Sequence, residues 1–356
     1  MPEAKANRRV SPARQTAFDI LRRVEQEGSF ASTLIAALPE VELSREDRAL
    51  TQELVLGTLR WRATLDFLIA SYTGRRIEKL DLPVVIALRL GIYQIRFLTR
   101  IPVSAAVNES VKLVKRARLV SAATLTNAVL RRAVERRDDP PGVDMPAGLG
   151  RTAIEVSHPR WMLERWERSI GYEQMRELAL ANNQAPAVCF RVNTLRWSTE
   201  DAIAELEREG VKVRASEMTA GAFVAEHGSG LAGTRAAKGG LIYIQDEASQ
   251  LVSLAVAAEP GQKILDLCAA PGSKSTHIAT LTGDRSWIAA CDVHHRRLAV
   301  LKESASRLGI KSISRLAADA AHSLPFSEDA QFDRVLLDAP CSGTGTLRQH
   351  PEIKWR

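Results

Sequence analysis

The sequence predicts a multidomain chain: an all-α segment, then a small α+β unit, then an α/β domain built on a doubly wound parallel sheet. Three observations carry this. From residue 11 to residue 137 apolar positions recur at helical spacing in one segment after another. A stretch rich in Pro, Gly and Asp over residues 139–150 then interrupts the pattern and reads as a linker. From about residue 246 short apolar runs alternate with helical patterns, as parallel strands joined by helical crossovers do. The boundaries that follow are 1–138 for the helical domain, 139–150 for the linker, 151–245 for the α+β unit and 246–356 for the α/β domain.

In the helical domain Ala17, Ile20, Leu21 and Val24 form one stripe, and Ala31, Leu34, Ile35 and Leu38 form the next. Ser44 and Asp47 make a capping-box signal for a helix carrying Leu50, Leu54 and Leu59. Pro83 suits the first turn of a helix over 84–98. The polar faces are rich in arginine, with Arg60 and Arg62, then Arg75, Arg76 and Lys79, and later Arg131, Arg132, Arg136 and Arg137. Of the net charge of +7, the basic excess lies here: residues 1–140 hold 24 Lys+Arg against 16 Asp+Glu. Arginine's planar fork matches phosphate oxygens, so RNA backbone binding stands beside the simpler reading of a solvated basic face. Few aromatics accompany these charges, which disfavours single-strand stacking as the main mode.

Beyond the linker, helical patterns over 160–170 and 172–181 lead into a β-prone run at 187–193. A helix near 200–209 and short runs at 211–213, 223–225 and 241–244 complete the α+β unit. Arg191 and Asn193 alternate outward from the first run, where they could face a substrate, and read as ordinary surface residues. In the α/β domain the strands fall at 263–267, 287–291, 312–316 and 333–337, with helices over 275–281 and 295–308.

Composition narrows the function classes. A 45% hydrophobic and 26% charged chain of 356 residues is an ordinary globular protein of two or three cores. No apolar run approaches the roughly 18 residues that would span a membrane, and residues 1–9 lack the apolar stretch of a secretion signal, so a cytoplasmic protein is expected. The four cysteines, at 189, 268, 291 and 341, show no Cys-x-x-Cys spacing, which argues against both a metal site and a disulfide framework.

The chemistry concentrates where the parallel strands end. Asp266 and Cys268 close the first strand, and Cys268, Ala269, Ala270, Pro271, Gly272, Ser273 and Lys274 form a small-residue turn before a helix. Strand, turn and helix in this order leave backbone N–H groups and a carboxylate facing a nucleotide-like ligand. A single glycine in the turn weighs against a dinucleotide, and no Gly-Lys-Ser/Thr supports a P-loop. Asp292 follows the second strand, 20 residues past Gly272, where a carboxylate meets ribose hydroxyls in such folds. Asp319 follows the third strand and is an acceptor for an adenine amino group, and Asp338 closes the fourth. An acid-lined edge suits a nucleoside without phosphates, such as S-adenosyl-L-methionine. Asp338-Ala-Pro-Cys341 adds a thiol to that edge. A thiolate adding to carbon 6 of a pyrimidine activates carbon 5, a carboxyl group at ring nitrogen 3 assists, and Asp338 is placed for that. His294 and His295 begin a helix and receive no role.

Leu-Asp-Leu-Cys-Ala-Ala-Pro-Gly-Ser-Lys274 and Leu-Asp-Ala-Pro-Cys-Ser-Gly-Thr-Gly345 resemble the cofactor and proline-cysteine motifs of RNA cytosine-5 methyltransferases of the RsmB (Sun/Fmu) type. The Arg-rich helices resemble the NusB-like RNA-binding domain in front of these enzymes. Phe-Arg-Val-Asn193 and Ile-Gln-Asp-Glu-Ala-Ser249 resemble sequences of the family's middle region. The resemblance implies a NusB-like domain, a middle α+β unit that binds RNA, and a Rossmann-like methyltransferase domain. It implies S-adenosylmethionine held by Cys268–Lys274, Asp292, Asp319 and Asp338. The implied reaction is methylation of carbon 5 of a cytosine in 16S ribosomal RNA, in an unassembled or partly assembled small subunit, through a cysteine–cytosine adduct.

Two cysteines act in that family. The thiol that adds to carbon 6 lies in a later motif, and the proline-cysteine thiol, here Cys341, assists product release. With the sequence ending at Arg356 after four strands, the expectation is a fragment or truncated gene product in which no residue inherits the nucleophile role. Otherwise Cys341 acts alone. Two alternatives remain at this stage: an RNA-binding protein with a methyltransferase relic, and the same chemistry on another RNA such as transfer RNA.

Overall fold

Helix α5, Leu82–Phe97, is the axis of the helical region, and every residue from Val84 to Ile95 along it is buried. Such a helix needs neighbours on all sides. They are α1 (Pro12–Glu27), α2 (Ala31–Ala36), α3 (Arg45–Arg60), α4 (Arg62–Thr73), α6 (Val103–Arg116) and α7 (Ala123–Glu135). In the computed structural model residues 10–39, 43–226, 230–327 and 329–356 are described; the opening segment read above for a secretion signal lies outside them. The predicted cap is present, with Ser44 Oγ accepting from the Asp47 N–H. Arg89 sits inside the bundle because Asp66 (2.6 and 2.8 Å) and Glu25 (2.9 Å) take up its donors. Gly57 makes room for Tyr93, whose ring would lie 2.0 Å from any added Cβ.

This helical unit comprises Met1–Pro186 together with Gly343–Arg356. It also holds α8 (Leu149–Glu155), α9 (Arg160–Ile170) and α10 (Tyr172–Asn182), packed on Ala153, Val156, Leu163, Met175 and Ala179. Most of the predicted linker is turns, and α8 begins at Leu149. The sequence-based boundary put the last 14 residues with the parallel sheet, whereas here they form a strap on the helices. Lys354 Nζ donates to Arg60 O (3.0 Å), Ser157 O (3.0 Å) and Asn183 Oδ1 (2.8 Å). Glu352 Oε1 accepts from the Ala31 N–H (2.9 Å), Trp355 Nε1 donates to Leu59 O (2.9 Å), and the Arg356 guanidinium lies over Phe30.

The strap corrects part of the predicted arginine face. Arg60 is buried and donates to Arg348 O (3.1 Å), and Arg62 pairs with Glu25 (3.1 Å), so neither stands open on a polar surface. Arg132 donates to Tyr72 O while remaining exposed. Arg75, Arg76, Lys79, Arg131 and Arg136 are exposed as well, and Arg137 is half-buried.

The second unit, Ala187–Ser342, carries two sheets. The smaller is antiparallel, in the order β2 (Val213–Ala215), β3 (Ala222–Ala225), β1 (Val188–Val192), β4 (Ile242–Ile244). Helices α11 (Thr199–Arg208) and α12 (Arg235–Lys238) cover the face bearing Phe190 and Val192. The larger is parallel throughout, in the order β7 (Ile313–Ala317), β6 (Trp287–Asp292), β5 (Lys263–Asp266), β8 (Arg334–Leu336). Helices α13 (Glu247–Ala255), α14 (Ser273–Leu281) and α15 (His295–Leu308) accompany it. Ile264, Ile288 and Ala290 pack against α14 and α15, while Leu265, Ala289 and Cys291 meet Phe326 and Phe332 on the other face. Both faces are covered, as a parallel sheet requires.

Arg191 and Asn193 are not surface residues: they are 2% and 0% exposed. Both faces of β1 are buried, and these two side chains meet the parallel-sheet region. Arg191 reaches Gln245 Oε1 (2.9 Å), Thr276 Oγ1 (3.0 Å) and Thr280 Oγ1 (3.3 Å), with Tyr243 beneath its guanidinium. Asn193 Nδ2 donates to Gly240 O and Leu308 O, each at 2.9 Å. The small sheet thereby grips α14, the helix that follows the small-residue turn.

Candidate cofactor and substrate site

Because β5 to β8 are all parallel, their carboxyl ends share one edge of the sheet. Asp266 is the last residue of β5 and Asp292 the last of β6; Asp319 and Asp338 each follow their strand by two residues. The strand order places β5 beside both β6 and β8, the latter belonging to the opposite winding, and ligands of open α/β sheets bind outside such a switch point. The four predicted carboxylates therefore lie along a single rim.

The turn between β5 and α14 is built by backbone contacts. Ala269 N–H donates to Cys291 O (2.8 Å) and Ala270 N–H to Asp292 Oδ2 (3.2 Å). Arg297 Nη2 donates to Ala270 O (2.8 Å), and the Ala270–Pro271 peptide is cis. Gly272 has φ +106°, and a Cβ there would stand 2.7 Å from Leu301 Cγ, so the position excludes side chains on two grounds. Ser273 and Lys274 open α14 behind it.

The carboxylates differ in environment. Asp266 is 1% exposed, accepts from Ser275 Oγ (2.6 Å), and has its Oδ1 buried without a protein partner. Burial pushes its pKa up to about 6, opposed by the Ser275 hydrogen bond. Asp292 Oδ1 accepts from the backbone N–H of His294 (2.9 Å). Asp319 is half exposed, and its Oδ1 accepts from the Ala321 N–H (2.9 Å). Asp338 is half exposed and forms an ion pair with Lys274 Nζ at 2.5 Å. That pair fastens the small-residue turn to the loop carrying Cys341.

The thiols separate by exposure. Cys291 and Cys189 are buried and Cys341 is exposed. Cys268 is intermediate, and burial, then Asp292, Asp266 and Asp338, raise its pKa, so it stays a protonated thiol on the rim. Among the described residues no group of three or more His, Cys, Asp or Glu could hold a metal ion, and no helix is long and apolar enough to cross a membrane.

The rim fits a nucleoside cofactor. It offers an orphaned buried acceptor at Asp266, a second buried carboxylate at Asp292, and the side-chain-free backbone of Gly272. The contribution that sequence reasoning missed is Arg191, which holds α14 through Thr276 and Thr280 from the neighbouring sheet. Those two threonines, four apart on α14, were its only sequence signal.

Residues 253–356 match the family described as 16S rRNA methyltransferase RsmB/F, residues 11–135 match the NusB family, and residues 158–229 match the ferredoxin-like domain of RsmF/B-like methyltransferases. The chain is 33% identical over 343 residues to the probable ribosomal RNA small subunit methyltransferase B of Bacillus subtilis (strain 168), covering 96% of this chain and 76% of that protein. The chain belongs to the RsmB/F methyltransferase family. The ribosomal RNA small subunit methyltransferase B of Pseudomonas putida is 35% identical over 327 residues, covering 92% of this chain and 73% of the relative. The crystal structure of PH0851 superposes with a TM-score of 0.76 at 26% identity, covering 97% of this chain and 78% of that one. An RsmB/F chain thus combines a NusB-like helical domain, a ferredoxin-like unit and a Rossmann-like methyltransferase fold, the fold class expected from the sequence.

Proposed function

We propose that this chain is an S-adenosylmethionine-dependent methyltransferase of small-subunit ribosomal RNA, acting at carbon 5 of a cytosine. The observation that carries the reading is the Lys274–Asp338 ion pair, which joins the cofactor turn to the Asp338-Ala-Pro-Cys341 loop at one sheet edge. Membership in the RsmB/F family and the names of its relatives support the substrate class.

S-adenosylmethionine supplies an electrophilic methyl group when bound. Cys268–Lys274 would line its site with small residues and backbone, Asp292 would receive the ribose hydroxyls, Asp319 the adenine amino group, and Asp266 would offer its free oxygen. Asp338 would meet ring nitrogen 3 of the cytosine. In the adduct chemistry, which uses two thiols in the family, the thiolate that bonds carbon 6 places an electron pair at carbon 5, and Cys341 matches only the second, releasing thiol. After methylation a base takes the carbon-5 proton, and the electron pair of that carbon–hydrogen bond expels the thiolate from carbon 6. Cys341, exposed beside Asp338, would serve this release stage. The exposed arginines of the helical unit would hold RNA through its phosphates, with the target base unstacked.

Calorimetry with S-adenosylhomocysteine and mapping of methylated positions in small-subunit RNA test the reading. Binding that Asp292→Asn weakens about tenfold supports it, and absence of binding would falsify it. Cys341→Ser should lower methyl transfer while leaving S-adenosylhomocysteine affinity within about twofold, because a release thiol does not touch the cofactor. A methyl group found on ribose or on another base would remove the carbon-5 chemistry while leaving the cofactor assignment.

A further inference from the structure

The strap docks through directional bonds made by two enclosed charged side chains. Lys354 and Glu352 are 1% and 2% exposed, and a buried set of charged and polar groups gains little or no stability over a well-packed apolar one. What these two add is position. The three acceptors of Lys354 Nζ come from separate places in the helical unit, the end of α3, the turn after α8 and the end of α10, so together they define one point for the amine. Ser157 presents its carbonyl there with φ +49°, a left-handed conformation that residues other than glycine seldom adopt. Glu352 Oε1 adds a fourth bond, from the N–H of Ala31 at the start of α2. An apolar plug tolerates sliding; this one fixes the register of the strap.

The register reaches the thiol loop by a short route. Ile353 lies between Glu352 and Lys354, and a Cβ on Gly343 would stand 3.0 Å from Ile353 Cδ1, so the first residue of the strap packs directly on the plug. The Gly343 carbonyl accepts from the N–H and the hydroxyl of Thr346, each at 2.8 Å. At its other end the loop is fastened by the ion pair of Asp338 with Lys274. Four residues, Ala339, Pro340, Cys341 and Ser342, lie between the two fastenings, and the ring of Pro340 fixes its own φ. Cys341 is two residues from Gly343, and two residues of chain span at most about 7 Å, so a shift of the strap along the helices is passed to the thiol. We propose that Lys354 and Glu352 are positioning residues for Cys341: the plug sets the register of the strap, and the strap sets where the loop holds the thiol. The bearing of this on catalysis rests on the reading of Cys341 as the releasing thiol; the positioning itself does not.

A nitroxide label on Cys341 reads the positioning directly. It is attached to the full chain carrying Cys268→Ser, since Cys189 and Cys291 are buried and Cys341 is exposed. Lys354→Met and Glu352→Ala should shorten the rotational correlation time of the label about threefold, as a loop tied at both ends becomes one tied at a single end and moves on the nanosecond scale. Glu352→Gln keeps the oxygen that accepts from Ala31 and should match wild type. So should Val129→Ala, which opens a cavity in the bundle core on α7 and weakens the helical unit without removing a hydrogen bond of the strap. An unchanged spectrum in both Lys354→Met and Glu352→Ala would overturn the proposal. Equal loosening in Val129→Ala at a matched urea midpoint would overturn it as well, since mobility would then follow stability and not the plug. If circular dichroism shows Lys354→Met to be misfolded, Glu352→Ala against Glu352→Gln decides. Methyl transfer is not among the readouts, so a Cys341→Ser variant that methylates at the full rate would end the releasing-thiol reading and leave the positioning result standing.

Discussion

Replacing Lys354 by methionine tests how an amine is kept inside the helical unit. Its Nζ has three acceptors, Arg60 O, Ser157 O and Asn183 Oδ1, none of them a carboxylate. Two effects oppose each other. Removing the ammonium relieves a desolvation penalty of several kcal/mol, while each buried acceptor that loses its donor costs about 1–3 kcal/mol. At neutral pH a net loss of about 1–3 kcal/mol is expected. The pH dependence does not cancel. Burial, and then repulsion from Arg60, hold the Lys354 pKa well below the ordinary lysine value, and the adjacent His158 is kept neutral by burial and by Lys354. Between that depressed value and about 10.4 the unfolded chain binds more protons than the folded one. Stability therefore rises with pH across the window, by up to about 1.4 kcal/mol per unit, and falls as pH drops through it. Methionine has no such slope. Urea denaturation at a series of pH values up to about 10 should show wild type gaining on Lys354→Met; parallel curves would mean that the amine titrates normally and would refute the reasoning.

Asp266 behaves in the opposite sense. Its pKa, raised to about 6, makes the folded chain bind more protons than the unfolded one between about 3.9 and 6, so stability is lost as pH rises through that range, by about 3 kcal/mol. Asp266→Asn should thus be about 2–3 kcal/mol more stable than wild type at neutral pH and equal to it in acid, and a less stable variant would disprove the assignment. Arg191→Met should cost about 2–3 kcal/mol, since Thr276 and Thr280 keep their bonds to Gly272 O and Thr276 O, and should weaken S-adenosylhomocysteine binding about tenfold by loosening α14. Unchanged affinity beside the stability loss would confine Arg191 to the scaffold. Gly272→Ala combines a strained φ with the contact at Leu301, so a loss of about 1–3 kcal/mol and of calorimetric cofactor binding is expected. Retained affinity would show that this turn does not cradle the cofactor.

The parallel sheet was legible because its signals are local. Each strand is a short run with a carboxylate at its end or two residues beyond, and predicted and observed bounds differ by no more than one residue at either end. Arg191 and Asn193 were misread for a physical reason. Alternation assigns residues to faces but does not say which face is covered, and β1 is covered on both. Polar side chains were taken for solvent-facing, when Arg191 answers the hydroxyls of a helix some 85 residues away and Asn193 the carbonyls of Gly240 and Leu308. The strap escaped for a related reason. It is short 3₁₀ turns without periodicity, and the residues that bury it are Lys354 and Glu352, types almost never enclosed unless partnered. Their partners are three backbone groups and the Asn183 side chain, 171 to 321 residues earlier, which no window of sequence displays.

That strap makes the Ala187–Ser342 unit an insertion within the helical one. During synthesis the first 186 residues emerge long before their closing piece, so Asn183 Oδ1 and the carbonyls of Arg60 and Ser157 wait for a donor until the whole intervening unit has been made. The helical unit should complete its packing only after the intervening unit has been made, although most of it is translated first. Attempts to dissect the protein need to respect this order: a piece cut at Pro186 lacks its plug, and adding residues 343–356 as a separate peptide is the natural way to restore it.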